Sequence, residues 1–159
     1  MPRQHPDASL IRDFHEAQNR FYAGGDQSLA QAMLTDDVAW HVPGRSPIAG
    51  DHRGREEVLR YFAARRELAR GTFRIAVRDV LVGDERTVVF ADGRVECNGE
   101  TLGWQTANVF RLADGKIAEC WVLPYDLYAF DHIWSSAVGP RDDSLGSRPR
   151  FGSRASTER

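Results

Sequence analysis

Two alternating segments joined by Asn98-Gly99 constrain the fold of this chain more than any other feature of its sequence. The segments run from Thr87 to Cys97 and from Glu100 to Leu112, and both have the two-residue period of a β-strand. An Asn-Gly pair between such segments is the strongest short signal for a two-residue hairpin turn. This turn pairs Cys97 with Glu100 and thereby fixes every other pair along the two strands.

The predicted register sorts the side chains of the hairpin onto two faces. One face carries Val89, Ala91, Gly93, Val95, Cys97, Leu102, Trp104, Thr106, Asn108 and Phe110. The other carries Val88, Phe90, Asp92, Arg94, Glu96, Thr101, Gly103, Gln105, Ala107 and Val109. The first face is the more apolar, and we therefore expect it to point inward.

A second hairpin, around Asp114-Gly115, leads into a last strand from Ile117 to Leu123. A tight two-residue turn would place Trp121 on the inner face. A turn with a Gly bulge would instead turn Trp121 outward and Cys120 and Val122 inward. We favour the second arrangement, because Trp121 then joins the apolar part of the outer face.

Helical patterns precede and follow these strands. Asp7 or Ser9 caps a first predicted helix that runs to about Ala23, and Asp26 or Ser28 caps a second through Leu34. A strand with Val38, Trp40 and Val42 follows, and then a Pro- and Gly-rich loop and a third helix after Gly54. Phe73, Ile75 and Val77 begin the strand region, and a closing helix is expected from Asp126 through Ala137.

The stretch from Trp40 to Phe62 (WHVPGRSPIAGDHRGREEVLRYF) and the order of elements around it resemble the nuclear transport factor 2-like superfamily, specifically its SnoaL-like, ketosteroid isomerase-like branch. The resemblance covers about residues 8–137. It implies an α+β cone in which a curved, mostly antiparallel sheet wraps around N-terminal helices and encloses a pocket. This is the cystatin-like α+β roll, and the resemblance also implies a homodimer formed through the outer sheet face.

The resemblance assigns catalytic groups only in part. Ketosteroid isomerases place a carboxylate base at the end of the first strand, and the matching residue here is Val42, which cannot take a proton. Their oxyanion hole matches Gln18 and Asn108, whose amides can donate hydrogen bonds. An anchor for a carbonyl or hydroxyl oxygen is therefore retained without the family's base.

Two other residues are candidates for the missing acid or base. His41 lies next to the loop mouth, although strict alternation places it on the face opposite Trp40; Asp126 follows Pro124, where a helix N-cap is the competing role. The remaining histidines, His15, His52 and His132, are expected in solvent. The predicted ligand contacts are Asn108, Gln18, Tyr22, Trp40, Trp104 and Val122.

Composition narrows the class of protein. The 159 residues carry a net charge of −2 without a basic stripe, and neither a membrane span nor a signal peptide is recognisable. We predict a cytoplasmic protein with one domain, 1–138, and a disordered tail, 139–159. Cys97 and Cys120 lack metal-ligand spacing and are expected to be buried thiols. No motif calls for a nucleotide, cofactor or metal.

These observations favour a cofactor-free isomerase, cyclase or dehydratase that acts on a small hydrophobic carbonyl or polyketide-like compound. A non-catalytic protein that binds a small hydrophobic ligand is the main alternative, and a protein-interaction module is a third. Arg94-Val95-Glu96 is reminiscent of the Arg-x-Asp of limonene epoxide hydrolases. The predicted register turns Arg94 and Glu96 outward, however, which disfavours an epoxide hydrolase.

Overall fold

The structure, a computed structural model that describes residues 4–137, consists of a curled six-stranded sheet with helices against its inner face. The helices are α1 (Pro6–Tyr22), α2 (Ser28–Ala32), α3 (Arg55–Leu68) and α4 (Leu127–His132), which continues into a π-helical turn (Ile133–Ala137). The strands are β1 (Leu34–Val42), β2 (Gly50–Arg53), β3 (Arg74–Val82), β4 (Thr87–Cys97), β5 (Glu100–Ala113) and β6 (Lys116–Trp121). The α+β fold class is confirmed. The predicted tail, 139–159, lies outside the described residues.

The strands follow the order β2-β1-β6-β5-β4-β3 across the sheet. The β1–β6 pair is parallel and the other neighbours are antiparallel, as expected for a mostly antiparallel sheet. Helix α1 packs on β3, and α3 packs on β1 and β2, so the helices bridge the two ends of the sheet. The concave face is thereby closed off from solvent.

The first hairpin has the register that the Asn98-Gly99 turn predicts. Asn98 has φ 52° and Gly99 φ 80°, the pair of positive values that a type I′ turn requires. Cys97 pairs with Glu100, and the alternation continues to the far end of both strands. The inner face of β4 is buried, whereas Arg94 and Glu96 are exposed on the other side. The geometry therefore offers no buried carboxylate of the epoxide hydrolase kind at this strand.

The second hairpin combines features of both predicted alternatives. Its turn is tight, because Ala113 pairs directly with Lys116. A bulge at Ala118 then shifts the register by one residue between the pairs Leu112–Ile117 and Arg111–Glu119. Cys120 is consequently buried on the inner side with Val122, and Trp121 lies on the outer side. The predicted facing is confirmed, although the bulge sits within the strand and not in the turn.

Two elements differ from the prediction. Gly50–Arg53, expected as loop, forms the edge strand β2, which pairs with β1 through its backbone while its side chains stay largely exposed. Such a strand has no alternating apolar pattern for the sequence to display. The closing helix, expected to be regular through Ala137, widens into the π-helical turn after His132, and this turn buries both Ile133 and Trp134.

Asp131 of α4 fixes the loop between β1 and β2. Its Oδ1 accepts hydrogen bonds from the backbone N–H of Arg45, at 2.7 Å, and of Ser46, at 2.8 Å. Gly44 has φ 102°, and a Cβ at that position would overlap the Asp131 carboxylate. We call this contact between Asp131 and the loop the Asp131 clamp. It depends on a residue without a side chain at position 44, and it holds the loop against the closing helix.

Gly93 and Trp104 face each other across β4 and β5 on the inner side of the sheet. A Cβ on Gly93 would overlap the indole of Trp104, which lies flat over the glycine. Trp104 also stacks on Phe73, with ring centroids 5.7 Å apart. The indole thus fills the space that a side chain at position 93 would occupy.

Gly93→Ala is expected to destabilise the fold by about 1–3 kcal/mol, because the added methyl displaces the Trp104 indole from a packed position. Urea unfolding followed by tryptophan fluorescence measures this change. Gly103→Ala is the matched control, since a Cβ there meets its nearest atom, the Gly93 carbonyl oxygen, at an ordinary 3.4 Å. Equal stabilities of the two variants would contradict the proposed packing.

Candidate functional site

A small cavity lies between the inner face of the sheet and helices α1, α3 and α4. Its volume is about 30 Å³. This is room for one or two water molecules, whereas a cavity that accepts benzene has about 150 Å³. A flat organic ligand can therefore enter only if side chains of the wall move.

Seven of the sixteen residues that line the cavity are Phe, Tyr or Trp. They are Trp40, Tyr61, Phe73, Trp104, Phe110, Phe130 and Trp134. Such a wall favours a flat, apolar ligand. Of the ligand contacts nominated from the sequence, five line this cavity: Asn108, Gln18, Trp40, Trp104 and Val122.

Arg65, on α3, is the charged group of this cavity, and it is only 6% exposed. Its guanidinium carbon lies 4.3 Å from the ring centroid of Tyr61 and 5.1 Å from that of Phe73. The rings of Phe62 and Tyr22 complete the enclosure at 5.1 and 5.4 Å. Cation–π contacts of this kind stabilise a desolvated cation by about 2 kcal/mol or more.

Several polar atoms around the cavity have no hydrogen-bond partner within residues 4–137. They are Nε and Nη2 of Arg65, Nε1 of Trp40, Nε1 of Trp134, the Tyr61 hydroxyl and Oδ1 of Asn108. Each such buried group costs about 1–3 kcal/mol when it is left unpaired. Donors outnumber acceptors in this set, which suits a ligand rich in oxygen atoms.

His15 lines the same cavity from α1 and is buried, in contrast to the solvent position expected from the sequence. Its Nδ1 donates a hydrogen bond to the carbonyl of Ile11 at 2.8 Å. Burial lowers the pKa of His15 to about 4; the bond to Ile11 partly opposes this shift, and the positive charge of Arg65 adds to it. The ring is therefore neutral at pH 7, with its lone pair on Nε2.

Asn108 and Gln18 supply amides to the cavity. Asn108 faces inward from β5, opposite Val89 of β4, and is 8% exposed. Nε2 of Gln18 donates a hydrogen bond to the Tyr22 hydroxyl at 3.5 Å. Oδ1 of Asn108 has no hydrogen-bond partner in residues 4–137. Tyr22 itself is fully buried behind the wall and packs on Phe73, with centroids 4.7 Å apart.

The structure places His41, nominated as an acid or base, on the outer side of the sheet. Nδ1 of His41 donates to Asp51 at 2.7 Å and Nε2 donates to Glu119 at 2.9 Å. Burial by itself lowers the pKa of His41, but the two carboxylates outweigh it and raise the pKa above 6.5. An imidazolium that uses both nitrogens in this way is a link between strands, and it has no contact with the cavity.

Asp126, the other nominated acid or base, caps helix α4. Its Oδ1 accepts the backbone N–H of Ala129 at 3.1 Å, as expected for an N-cap, and the side chain is exposed. Asp126 borders an open groove of about 560 Å³ that also includes Arg94. This groove also contains the outer-face residues Asp92 and Gln105, and it shares Gly93 and Trp104 with the cavity.

Two residues of the cavity, His15 and Arg65, were not predicted from the sequence, although each has a recognisable signal in it. Ile11, Gln18 and Tyr22 form a helical stripe, and His15 lies on that stripe four residues after Ile11. Arg65 follows Phe62 by three residues and Val58 by seven, so a charged side chain stands in the apolar stripe of α3. His52, also expected in solvent, is half-buried, stacks on Tyr61 at 4.4 Å and donates to the Ile48 carbonyl.

His15 predicts acid sensitivity of the fold. The unfolded chain binds a proton at His15 near pH 6.5 and the folded chain only near pH 4. Stability is therefore lost as the pH falls between these values, by about 3 kcal/mol at pH 4. Urea unfolding of His15→Gln between pH 7 and 4 should show a correspondingly smaller loss.

His41→Gln is the control for this measurement, because the pKa of His41 is shifted upward, in the direction opposite to that of His15. Its protonated form stabilises the fold below pH 6.5, and this stabilisation is lost as the pH rises through the folded-state pKa. His41→Gln should thus be weakened most at mildly acid pH. An unchanged pH dependence in His15→Gln would contradict the buried neutral state of His15.

Neither metal ligation nor membrane insertion is indicated by the part of the chain that the structure describes. No group of three or more His, Cys, Asp or Glu side chains in residues 4–137 is arranged to hold a metal ion. The helices of the same residues lack the length and apolar character needed to cross a membrane. Of the cysteines, Cys120 is buried as expected, and Cys97 is half-buried.

Comparison with known proteins identifies the family. The SnoaL-like domain matches residues 11–120. An uncharacterized protein of Mycobacterium tuberculosis is 26% identical over 130 residues, covering 81% of this chain and 96% of that protein.

Two solved structures show the same fold. Bal32a, from a soil-derived mobile gene cassette, is 32% identical with a TM-score of 0.74, covering 81% of this chain and 96% of its own. TerC, co-crystallized with polyporic acid, is 23% identical with a TM-score of 0.64, covering 79% and 95%. The chain belongs to the SnoaL-like domain family, and it has the nuclear transport factor 2-like fold.

Proposed function

We propose that this protein is a cofactor-free enzyme that isomerises, cyclises or dehydrates a small, flat, hydrophobic carbonyl compound, with His15 as the proton acceptor. The observation that carries the proposal is that His15 and Asn108 line one buried cavity. A neutral imidazole and an amide donor on one apolar site are the two groups that enolisation needs. TerC, which shares the fold, was co-crystallized with polyporic acid.

The proposed chemistry assigns roles to three polar groups of the cavity: His15, Asn108 and Trp40. Nε2 of His15 takes a proton from the carbon beside the carbonyl, the C–H electron pair forms the C=C bond of the enolate, and the carbonyl π pair moves onto the oxygen. The Asn108 amide and the indole N–H of Trp40 donate hydrogen bonds to that oxygen as its charge grows. His15 then returns the proton to a different carbon of the ligand, which completes an isomerisation, or to a β-hydroxyl that leaves as water, which completes a dehydration.

Entry of the ligand requires movement of the wall, since the cavity holds only about 30 Å³. We assign this movement to Trp104, because it is half-buried and lines both the cavity and the open groove. Rotation of the indole enlarges the cavity without breaking a backbone hydrogen bond. Closure behind the ligand then excludes water from the proton transfer.

Deuterium exchange into 2-tetralone, a flat apolar ketone, tests the catalytic proposal. The protein is expected to accelerate exchange of the protons beside the carbonyl, measured by NMR in D₂O. His15→Gln should lower this acceleration by about 100-fold, as loss of a positioned base does. Since His15 protonates only near pH 4, the rate should stay nearly constant between pH 7 and 5.

His41→Gln and Asp126→Asn are the matched controls, because they change the other nominated acid or base groups and leave the cavity intact. Both should retain the exchange rate of the parent protein. Loss of exchange in either control with full activity in His15→Gln would overturn the assignment of the base.

A ligand-binding protein without turnover is the second candidate, favoured by the aromatic wall around the cavity. Its outcome in the same experiment is distinct. 2-Tetralone would then raise the melting temperature of the protein, because a ligand that binds only the folded state stabilises it. The exchange rate would nevertheless equal that of buffer, in the parent protein and in every variant.

We also propose that the outer sheet face joins a second copy of the chain. This face carries half-buried apolar side chains at Val88, Phe90, Ala107, Val109 and Trp121. Trp121 stacks on His41 with centroids 5.4 Å apart, which makes this part of the face flat. An apolar patch on one face of a sheet suits a self-complementary contact.

Light scattering of the parent protein should give roughly twice its chain mass of 17.9 kDa. Ala107→Glu should give a monomer or insoluble protein, because the new charge would be buried between the copies. Thr101→Glu, on the same face at the exposed hairpin tip, should remain dimeric. A monomeric parent protein at micromolar concentration would contradict the dimer.

A further inference from the structure

The charge of Arg65 is not balanced by the protein around it. None of the ion pairs formed within residues 4–137 includes Arg65. Its Nε and Nη2 are buried and have no hydrogen-bond partner in the same residues. The neighbouring polar side chains, His15, Gln18, Tyr22, Tyr61 and Asn108, are neutral: the Tyr22 hydroxyl accepts a hydrogen bond from the guanidinium, but none of them supplies a counter-charge.

Burial of such a cation is costly, and the aromatic rings offset this cost without supplying an opposite charge or a hydrogen-bond acceptor for its N–H groups. An isolated ion in a protein interior loses several kcal/mol of hydration after relaxation. One or two waters in the cavity can satisfy N–H groups but leave the charge in place. An arginine cannot escape by losing its proton, as a buried lysine does. The missing partner is therefore an anion.

We infer that the ligand of this cavity carries a carboxylate, and that Arg65 binds it through Nε and Nη2. The inference deepens the proposed function, and it rests on the cavity being the ligand site. Nε and Nη2 lie on one edge of the guanidinium, where their N–H groups can donate one hydrogen bond to each oxygen of a carboxylate. A neutral ketone would leave Arg65 unpaired in the resting complex, whereas an acid neutralises it throughout.

The substrate class that follows is a flat, apolar acid with a second oxygen function. Its carboxylate pairs with Arg65 on the α3 side, and its ring packs on the aromatic wall. Asn108, on β5, remains available for the carbonyl. An anion on Arg65 also reduces the repulsion that disfavours protonation of His15, so the bound acid makes His15 a stronger base.

Two probes of the same size and shape test the inference: benzoate, which is charged, and benzamide, which is not. Isothermal titration calorimetry in a buffer free of carboxylates gives both dissociation constants. Benzoate is expected to bind about tenfold tighter or more, as charge-assisted paired hydrogen bonds do. In Arg65→Met the two constants should become similar.

Arg66→Met is the matched control. Arg66 is the next residue of α3 and lies over Phe21, outside the cavity. This variant should keep the full preference for benzoate. Arg65→Lys, which keeps the charge but loses the paired geometry, should retain only part of the preference. Removal of an unpaired buried charge predicts that Arg65→Met without ligand melts no lower than the parent protein.

Equal binding of benzoate and benzamide by the parent protein would overturn the inference, even if Arg65→Met failed to fold. It would also be overturned if 2,4-dinitrophenolate bound and benzoate did not, since Arg65 would then serve a developing oxyanion. Exchange into 2-tetralone without a preference for benzoate would refute this inference alone. A preference for benzoate without exchange would refute the enzymatic proposal and leave a carboxylate-binding protein.

Discussion

The pairing of β4 with β5 is the constraint on which the rest of the structure depends. The type I′ turn at Asn98-Gly99 fixes a register that runs without interruption to the far end of both strands. A slip of one residue would turn Asn108 and Trp104 to the outside and bring charged side chains in. The bulge at Ala118 then sets the facing of the last strand relative to this hairpin. The register of the strands, and not residue propensity alone, therefore decides which side chains line the cavity.

The cavity combines groups that a core selected only for stability would exclude. An arginine, a histidine and an asparagine face one another within an aromatic wall, and several of their atoms have no partner in residues 4–137. Natural sequences break local rules of this kind mainly at functional sites. The aromatic rings around Arg65 offset the cost of its burial without supplying an opposite charge. The violation points to a site that is complete only when a ligand is present.

The sequence predicted the fold in detail because strands and turns leave local signals. The Asn98-Gly99 turn and the facing of Trp121 followed from alternation and turn chemistry. The site was predicted less well, since side chains from different elements meet there. Asn108 was identified from its place on the inner face, whereas His15 and Arg65 needed the packing of α1 and α3. Strand β2 was missed because backbone pairing alone holds it.

The Asp131 clamp on the β1–β2 loop has a consequence for motion. Gly- and Pro-rich loops are usually among the most mobile parts of a fold. Here the backbone N–H groups of Arg45 and Ser46 are held by a carboxylate of α4, so loop and helix must shift together or not at all. Ile48 of this loop and Phe130 of the helix both line the cavity. These two walls therefore move as one unit, and the proposed rotation of Trp104, whose ring centroid lies 5.7 Å from that of Phe130, takes place against that unit.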